Sequence, residues 1–171
     1  YRQDSTFLYY FGLSFAGISA IIDIDENKEI IFGDELTIDH IVWMGTQPTL
    51  KEKSERVGIR ETLPSAGIIS YLHKAVQKGQ TVHYLPPYRP EHKLKLMDWL
   101  GVPPARQEGS VPFIRAVVAR RNYKSTEEIA EIEKACDVTA DMHIKAMEVI
   151  RPGMYEYEVV AEMNRVAEMN N

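Results

Sequence analysis

PSAGIISYLHKAVQKGQTVHYLPPYRPEHKLKLMDWLG, residues 64–101, changes its hydrophobic period twice, and that change sets the fold class. Ile68, Ile69, Leu72, Ala75 and Val76 recur at helical steps, Ser65 stands where an N-cap belongs, and Gly79 follows the last periodic residue. This pattern predicts an amphipathic helix. TVHYLP, residues 81–86, is then a β-prone run closed by Pro86 and Pro87. In RPEHKLKLMDWLG, Pro90 suits the first helical position, Leu94, Met97 and Leu100 share a face, and Gly101 ends the helix. Helix, strand and helix in alternation predict an α/β layer.

Toward the N-terminus, GISAIIDIDENKEIIFGDEL (17–36) reads as two strands, Ile18 to Ile24 and Glu29 to Phe32, around the turn residues Asp25 to Lys28. The pair makes a hairpin. Asp23 and Asp25 share one strand face, as a catalytic pair or metal ligands would; the DENK turn favours a solvated strand end. HIVWMG (40–45) is a short apolar piece ending in Gly45, and TQPTLKEKSERVG (46–58) is a polar excursion expected at the surface.

Toward the C-terminus, a loop rich in Pro and Gly, Gly101 to Gly109, leads into SVPFIRAVVARRNYKS. There Ile114, Val117 and Val118 have helical spacing and Ser110 is the expected cap. STEEIAEIEKACDVTADMHIKAMEVIRPG (125–153) is the clearest element, with a capping box at Ser125 and Glu128 and Ile129, Ile132, Cys136, Thr139, Met142, Ala146 and Val149 at steps of three or four. It stops at Pro152-Gly153. About 26 residues make a rod roughly 39 Å long, and a last helix, Glu156 to Met169, follows. An apolar stripe of that length needs cover, so Met142, Ala146, Val149, Val159 and Met163 are expected to bury against a second copy of the chain.

With 171 residues and 44% hydrophobic content the chain buries a core. Lys and Arg total 20 against 25 acids, a net charge of -5, which lacks the basic footprint that nucleic acid requires. No apolar run reaches the roughly 18 residues of a membrane span. One Cys excludes an internal disulfide and places the expectation in the cytoplasm. The histidines at 40, 73, 83, 92 and 143 form no zinc-type spacing, Cys136 sits in the apolar stripe as a small hydrophobe, and Gly12 and Gly17 lack the Lys-Ser/Thr of a phosphate loop. The opening YRQDSTFLYYFGLS sets Arg2, Gln3 and Asp4 against Phe7, Leu8, Tyr9, Tyr10 and Phe11. An early acid excludes a signal peptide, and a start at Tyr1 without Met predicts that upstream residues have been removed. From the residues alone the chain is a soluble α/β domain with a helical extension and no visible active site.

Three stretches add a resemblance. YRQDSTFLYYFGL resembles the RQ-x-S-x-F-x-Y-x-x-G signature of the aminopeptidase P, prolidase and creatinase family at Arg2, Gln3, Ser5, Phe7, Tyr9 and Gly12. RNYKSTEEIAEIEKA with MEVIRPGMYEYEV is similar to the family's junction into its catalytic domain, at Arg121, Lys124, Ser125, Glu128, Ile129, Ala135, Pro152, Gly153, Met154 and Glu156. HIVWMG, between them, is similar to the W-x-G segment of aminopeptidase P, which implies a role for Trp43 in reaching a neighbouring subunit's substrate site; the ordinary alternative is a half-buried Trp in a sheet-edge loop. Tyr155 departs from the family, standing where Thr or Ser often caps the second helix.

The resemblance implies a mixed β-sheet with flanking helices over residues 1–122, followed at 123–171 by a long helix and a second helix that open a metallopeptidase catalytic domain. The parent would be an Xaa-Pro aminopeptidase, or a prolidase-type dipeptidase or creatinase. Non-catalytic histone-chaperone relatives are the alternative of another class. Its implied cofactors are two divalent metal ions, Mn2+ in the parent, held by Asp, Asp, His, Glu and Glu outside this segment. Its implied partners are its own catalytic domain, further copies as a homo-oligomer, and a peptide substrate. The segment itself is expected to be inert.

Overall fold

The computed structural model describes residues 2–170. Tyr1 and Asn171, which bound the two expected domains, lie outside the described residues. Two units are formed, Tyr1–Val117 and Val118–Asn171.

The first unit is built on a sheet. β1 (Ser19–Asp23) pairs antiparallel with β2 (Lys28–Phe32), Ser19 opposite Phe32 and Asp23 opposite Lys28, so the hairpin read from the sequence is present. Asn27 turns the chain at φ 52, a conformation Asn tolerates better than most side chains. β3 (Glu61–Leu63) joins parallel to β2, giving the order β1-β2-β3 in a mixed sheet. The strand expected at 81–86 does not form, and residues 80–88 carry neither helix nor strand. Pro86 and Pro87 have no N–H to give a ladder. Tyr84 bonds to Ser110 instead, its carbonyl accepting from the Ser110 N–H at 2.9 Å and its own N–H reaching Ser110 Oγ at 3.4 Å. That use of Ser110 replaces the side-chain cap expected of it. Gly109 lies so close that a Cβ there would sit 2.6 Å from the Pro86 ring.

Side chains alternate along β2, and each face gets a core. Ile31 packs with Leu13, Leu50 and Ile59, joined by Phe7 and Phe11 of α1 (Ser5–Phe11). Ile30 and Phe32 pack on the other face with Ile68 and Leu72 of α4 (Gly67–Gln77) and with Trp99 and Leu100 of α5 (Pro90–Leu100). Helices therefore cover both faces of the sheet.

Local readings needed correction. HIVWMG lies in a helix, α2 (Ile38–Met44), and the polar excursion after it contains another, α3 (Leu50–Arg56). α3 is no surface bystander, since Leu50 and Ser54 are buried. Ser65 does not cap α4: its N–H and hydroxyl both turn to the Asp34 carboxylate, and Ala66 at the N-cap position makes no side-chain bond. The inward face of α5 is Leu96, Trp99 and Leu100, while Leu94 and Met97 are exposed. Trp99, the largest of these side chains, draws that face to the core.

α6 (Val111–Asn122) spans the division between the units. In the second unit α7 (Thr126–Val149) has 24 residues, about 36 Å of helix. Its Ser125/Glu128 capping box is formed as read. α8 (Glu156–Glu168) packs against α7. Met142, Ala146 and Val149 are half-buried, as are Val159 and Met163 on α8. The N-terminal half of the stripe is open: Ile129, Ile132 and Cys136 are exposed, so Cys136 is not the packed hydrophobe expected. Without a Thr or Ser cap, the start of α8 is satisfied by Glu158, whose Oε2 accepts the Tyr155 N–H at 2.8 Å. Among the described residues no helix is long and apolar enough to cross a membrane.

Candidate functional site

α2 is the least ordinary surface of the first unit. Thr37 starts it with a capping box in which Oγ1 accepts the His40 N–H at 3.4 Å and His40 Nδ1 accepts the Thr37 N–H at 3.3 Å. Gly45, at φ 73, ends it with an N–H to the Ile41 carbonyl at 2.9 Å, and the Gln47 side chain donates to Met44 O at 3.2 Å. The helix is thus closed at both ends by its own neighbours. Between them every residue is exposed, and the apolar ones strongly so: Trp43 88%, Ile38 79%, Val42 75%. Single exposed hydrophobes are ordinary, but a contiguous group marks an interaction surface. Trp43 is therefore neither half-buried nor in a sheet-edge loop.

The N-terminal signature residues build a helix start. Asp4 caps α1, its Oδ1 accepting the Thr6 and Phe7 N–H groups at 2.9 and 3.0 Å, while Tyr88 donates to Oδ2 at 3.0 Å. Burial pushes the Asp4 carboxyl up, but the Phe7 N–H, the Tyr88 hydroxyl and the Thr6 N–H together hold it below the usual range. Gln3 donates to Phe15 O at 3.1 Å, and Arg2 contributes its carbonyl to Arg89 Nη2 at 3.2 Å. Ser5 opens α1, Phe7 stacks obliquely on Phe11, Tyr9 lies exposed against Tyr10, and Gly12 ends the helix at φ 63. In the second unit Lys124 bonds to the Arg121 carbonyl, Glu128 closes the α7 box, Pro152 and Gly153 turn the chain, and Glu156 opens α8.

Asp23 is the buried charge of the first unit, which corrects its reading as a solvated strand end. Tyr71 donates to it at 2.7 Å, Gln80 at 2.9 Å and the Glu26 N–H at 3.0 Å. These bonds, Tyr71 first, hold its carboxyl below the usual range. Burial, and then the same bond to Asp23, push the Tyr71 hydroxyl upward. Gln80 also donates to Asp25 at 2.9 Å, and Lys78 pairs with Glu26 at 2.7 Å. The network ties the hairpin turn to the end of α4. Among the described residues no group of three or more His, Cys, Asp or Glu side chains is placed to hold a metal ion, so no metal-dependent step is assigned to them.

Comparison with known proteins follows the same lines. Residues 1–84 match the family described as aminopeptidase P, N-terminal domain. The Xaa-Pro aminopeptidase of Escherichia coli is 27% identical over 175 residues, 96% of this chain and 40% of that protein. The solved Pseudomonas aeruginosa aminopeptidase PepP superposes with a TM-score of 0.76 at 28% identity, over 100% of this chain and 41% of that one. A zinc-substituted E. coli aminopeptidase P in complex with product gives 0.71 at 25% identity, over 100% and 41%. The chain spans about two fifths of the length of the proteins it matches.

Proposed function

We propose that this chain, which resembles the N-terminal part of aminopeptidase P, is the non-catalytic N-terminal portion of an Xaa-Pro aminopeptidase. Its parent releases an N-terminal residue that precedes proline, in the cytoplasm and as a homo-oligomer. Residues 1–122 serve subunit association and shape the substrate site, and 123–171 lead into the catalytic domain. That domain holds two divalent metal ions, Mn2+ in this reading, which activate a water against the scissile amide. Neither nucleic acid nor membrane is a partner.

The observation that carries the reading is Trp43, 88% exposed on an apolar helix capped at both ends. A large rigid aromatic presented this way has the chemistry of an interface anchor. In the full-length protein Trp43→Ala should cost about 2 kcal/mol of transition-state binding, roughly 30-fold in kcat/KM, with the thermal midpoint unchanged. Normal kinetics, or an unfolded variant, would remove Trp43 from the substrate site. A full-length protein that is inert with Mn2+ supplied would point instead to a binding module of the same fold.

A further inference from the structure

The first unit holds two rows of unpaired backbone. β1 is an outer strand, and among the described residues the backbone of 19–23 makes no hydrogen bond beyond its ladder with β2. Residues 81–85 supply the other row. Tyr84 turns its N–H and carbonyl to Ser110, and successive residues of an open run present these groups to opposite sides. The backbone groups of Thr81, His83 and Leu85 bond to nothing among the described residues.

Three contacts set the rows side by side. Gln80 donates to Asp23 and Asp25 at the end of β1, both at 2.9 Å. Ile21 of β1 and Val82 pack into the same core cluster under α4 and α5. Beyond the other end, Tyr88 bonds to Asp4 at the start of α1. Yet 81–85 does not ladder onto β1, and Ile22 is left 47% exposed.

We propose that the outer edge of β1 and residues 81–85 flank a slot for one further β-strand, supplied by the same polypeptide. The edge of β1 is Ser-Ala-Ile-Ile before Asp23, without the Lys or Pro that guards an exposed edge. Both faces of the sheet are covered by helices, so the inserted strand is buried on both faces and is a short apolar run, about five residues like β1. A second copy adding its own β1 would leave 81–85 unpaired, whereas one inserted strand satisfies both rows. The matched proteins are more than twice as long as this chain, which covers 41% of the solved one, so residues for the strand are to hand. The inference rests on the reading above that the chain is part of a longer protein.

Hydrogen exchange on the full-length protein tests it, at concentrations above and below its association. The amides of 19–23 that face away from β2, and those of Thr81, His83 and Leu85, should be protected at least about 100-fold at every concentration. Exchange at open-chain rates overturns the slot. Protection that vanishes on dilution overturns the choice of occupant, because a second copy would then be supplying the strand. Ready disulfide formation in an Ile22→Cys, His83→Cys double variant overturns it too. Direct pairing brings the two Cα atoms to about 5 Å, while an intervening strand holds them near 10 Å. No peptidase activity is read, so a full-length protein with protected edges and no turnover would sink the proposed function and leave the slot standing.

Discussion

α2 and α3 are seven residues each, lie a few residues apart, and start with the same device, a Thr whose hydroxyl accepts from the third helical residue while that residue's side chain reaches back. Their compositions are opposite. α2 carries Ile38, Ile41, Val42, Trp43 and Met44, and all of it is exposed; α3 carries Lys51, Glu52, Lys53, Glu55 and Arg56, and it is α3 that enters the core. Leu50 and Ser54, one turn apart, face inward, and Leu50 packs with Leu13, Ile31 and Ile59. Glu35 fixes the entry, both carboxylate oxygens accepting the Leu50 N–H at 3.0 Å. For a helix of two turns, one well-placed Leu decides burial, and the hydropathy of the rest decides only what the solvent side meets. The apolar face of α2 is then the part that requires an explanation from outside the unit.

The largest expected effect breaks or confirms this contrast directly. Leu50→Ala removes a buried side chain from a two-faced core and should cost about 2–5 kcal/mol in urea unfolding. Trp43→Ala, with no cover to lose, should stay within about 0.5 kcal/mol of the parent chain. A Trp43→Ala loss as large as that of Leu50→Ala would mean that α2 rests on the core in solution.

A smaller effect separates the two caps. Thr49→Ala deletes the bond to the Glu52 N–H, at 3.1 Å, in a helix that is part of the core, and should cost about 1 kcal/mol of global stability. Thr37→Ala deletes the matching bond in α2, whose opening exposes nothing buried. It should therefore show as faster local amide exchange with the unfolding midpoint unchanged. Equal global losses would join the two helices into one cooperative unit and sink the distinction.

The same contrast explains what the sequence disclosed. The hairpin, α4, α5, α7 and α8 were legible because each repeats its period long enough to be counted; α7 does so over 24 residues. α1, α2 and α3 have seven residues and β3 has three, too few for a period to separate helix from strand. α3 nevertheless had a signal, since Thr49 and Glu52 spell a capping box ahead of a lone Leu. The failed strand at 81–86 has a different cause, because composition favours β there while the chain offers no neighbour to ladder with. Of the candidate site, the family motifs flagged Trp43 but not its exposure. The burial of Asp23 depends on Tyr71 and Gln80, 48 and 57 residues away in sequence, which no local pattern conveys.

The smallest effect is one of pH, and it sharpens the comparison at the level of a single bond. In α3 the residue reaching back is a carboxylate: Glu52 Oε2 accepts the Thr49 N–H at 2.7 Å and the Thr49 hydroxyl at 3.0 Å. Those two bonds, the backbone one first, hold the Glu52 carboxyl below its usual range. A group whose pKa is lowered by folding contributes in full above its unfolded value, about 4.3 for glutamate, and the contribution is lost as pH falls through the folded value. In α2 the corresponding acceptor is His40 Nδ1, so no carboxylate closes that box. Between pH 6 and pH 3 the Thr49 amide resonance should therefore titrate with a midpoint below about 4.3, and Glu52→Gln should abolish that titration. The Thr37 amide should show no transition at that midpoint. A Thr49 amide that stays flat through this range, or one that still titrates in the Glu52→Gln variant, would show that the carboxylate does not close the α3 box in solution.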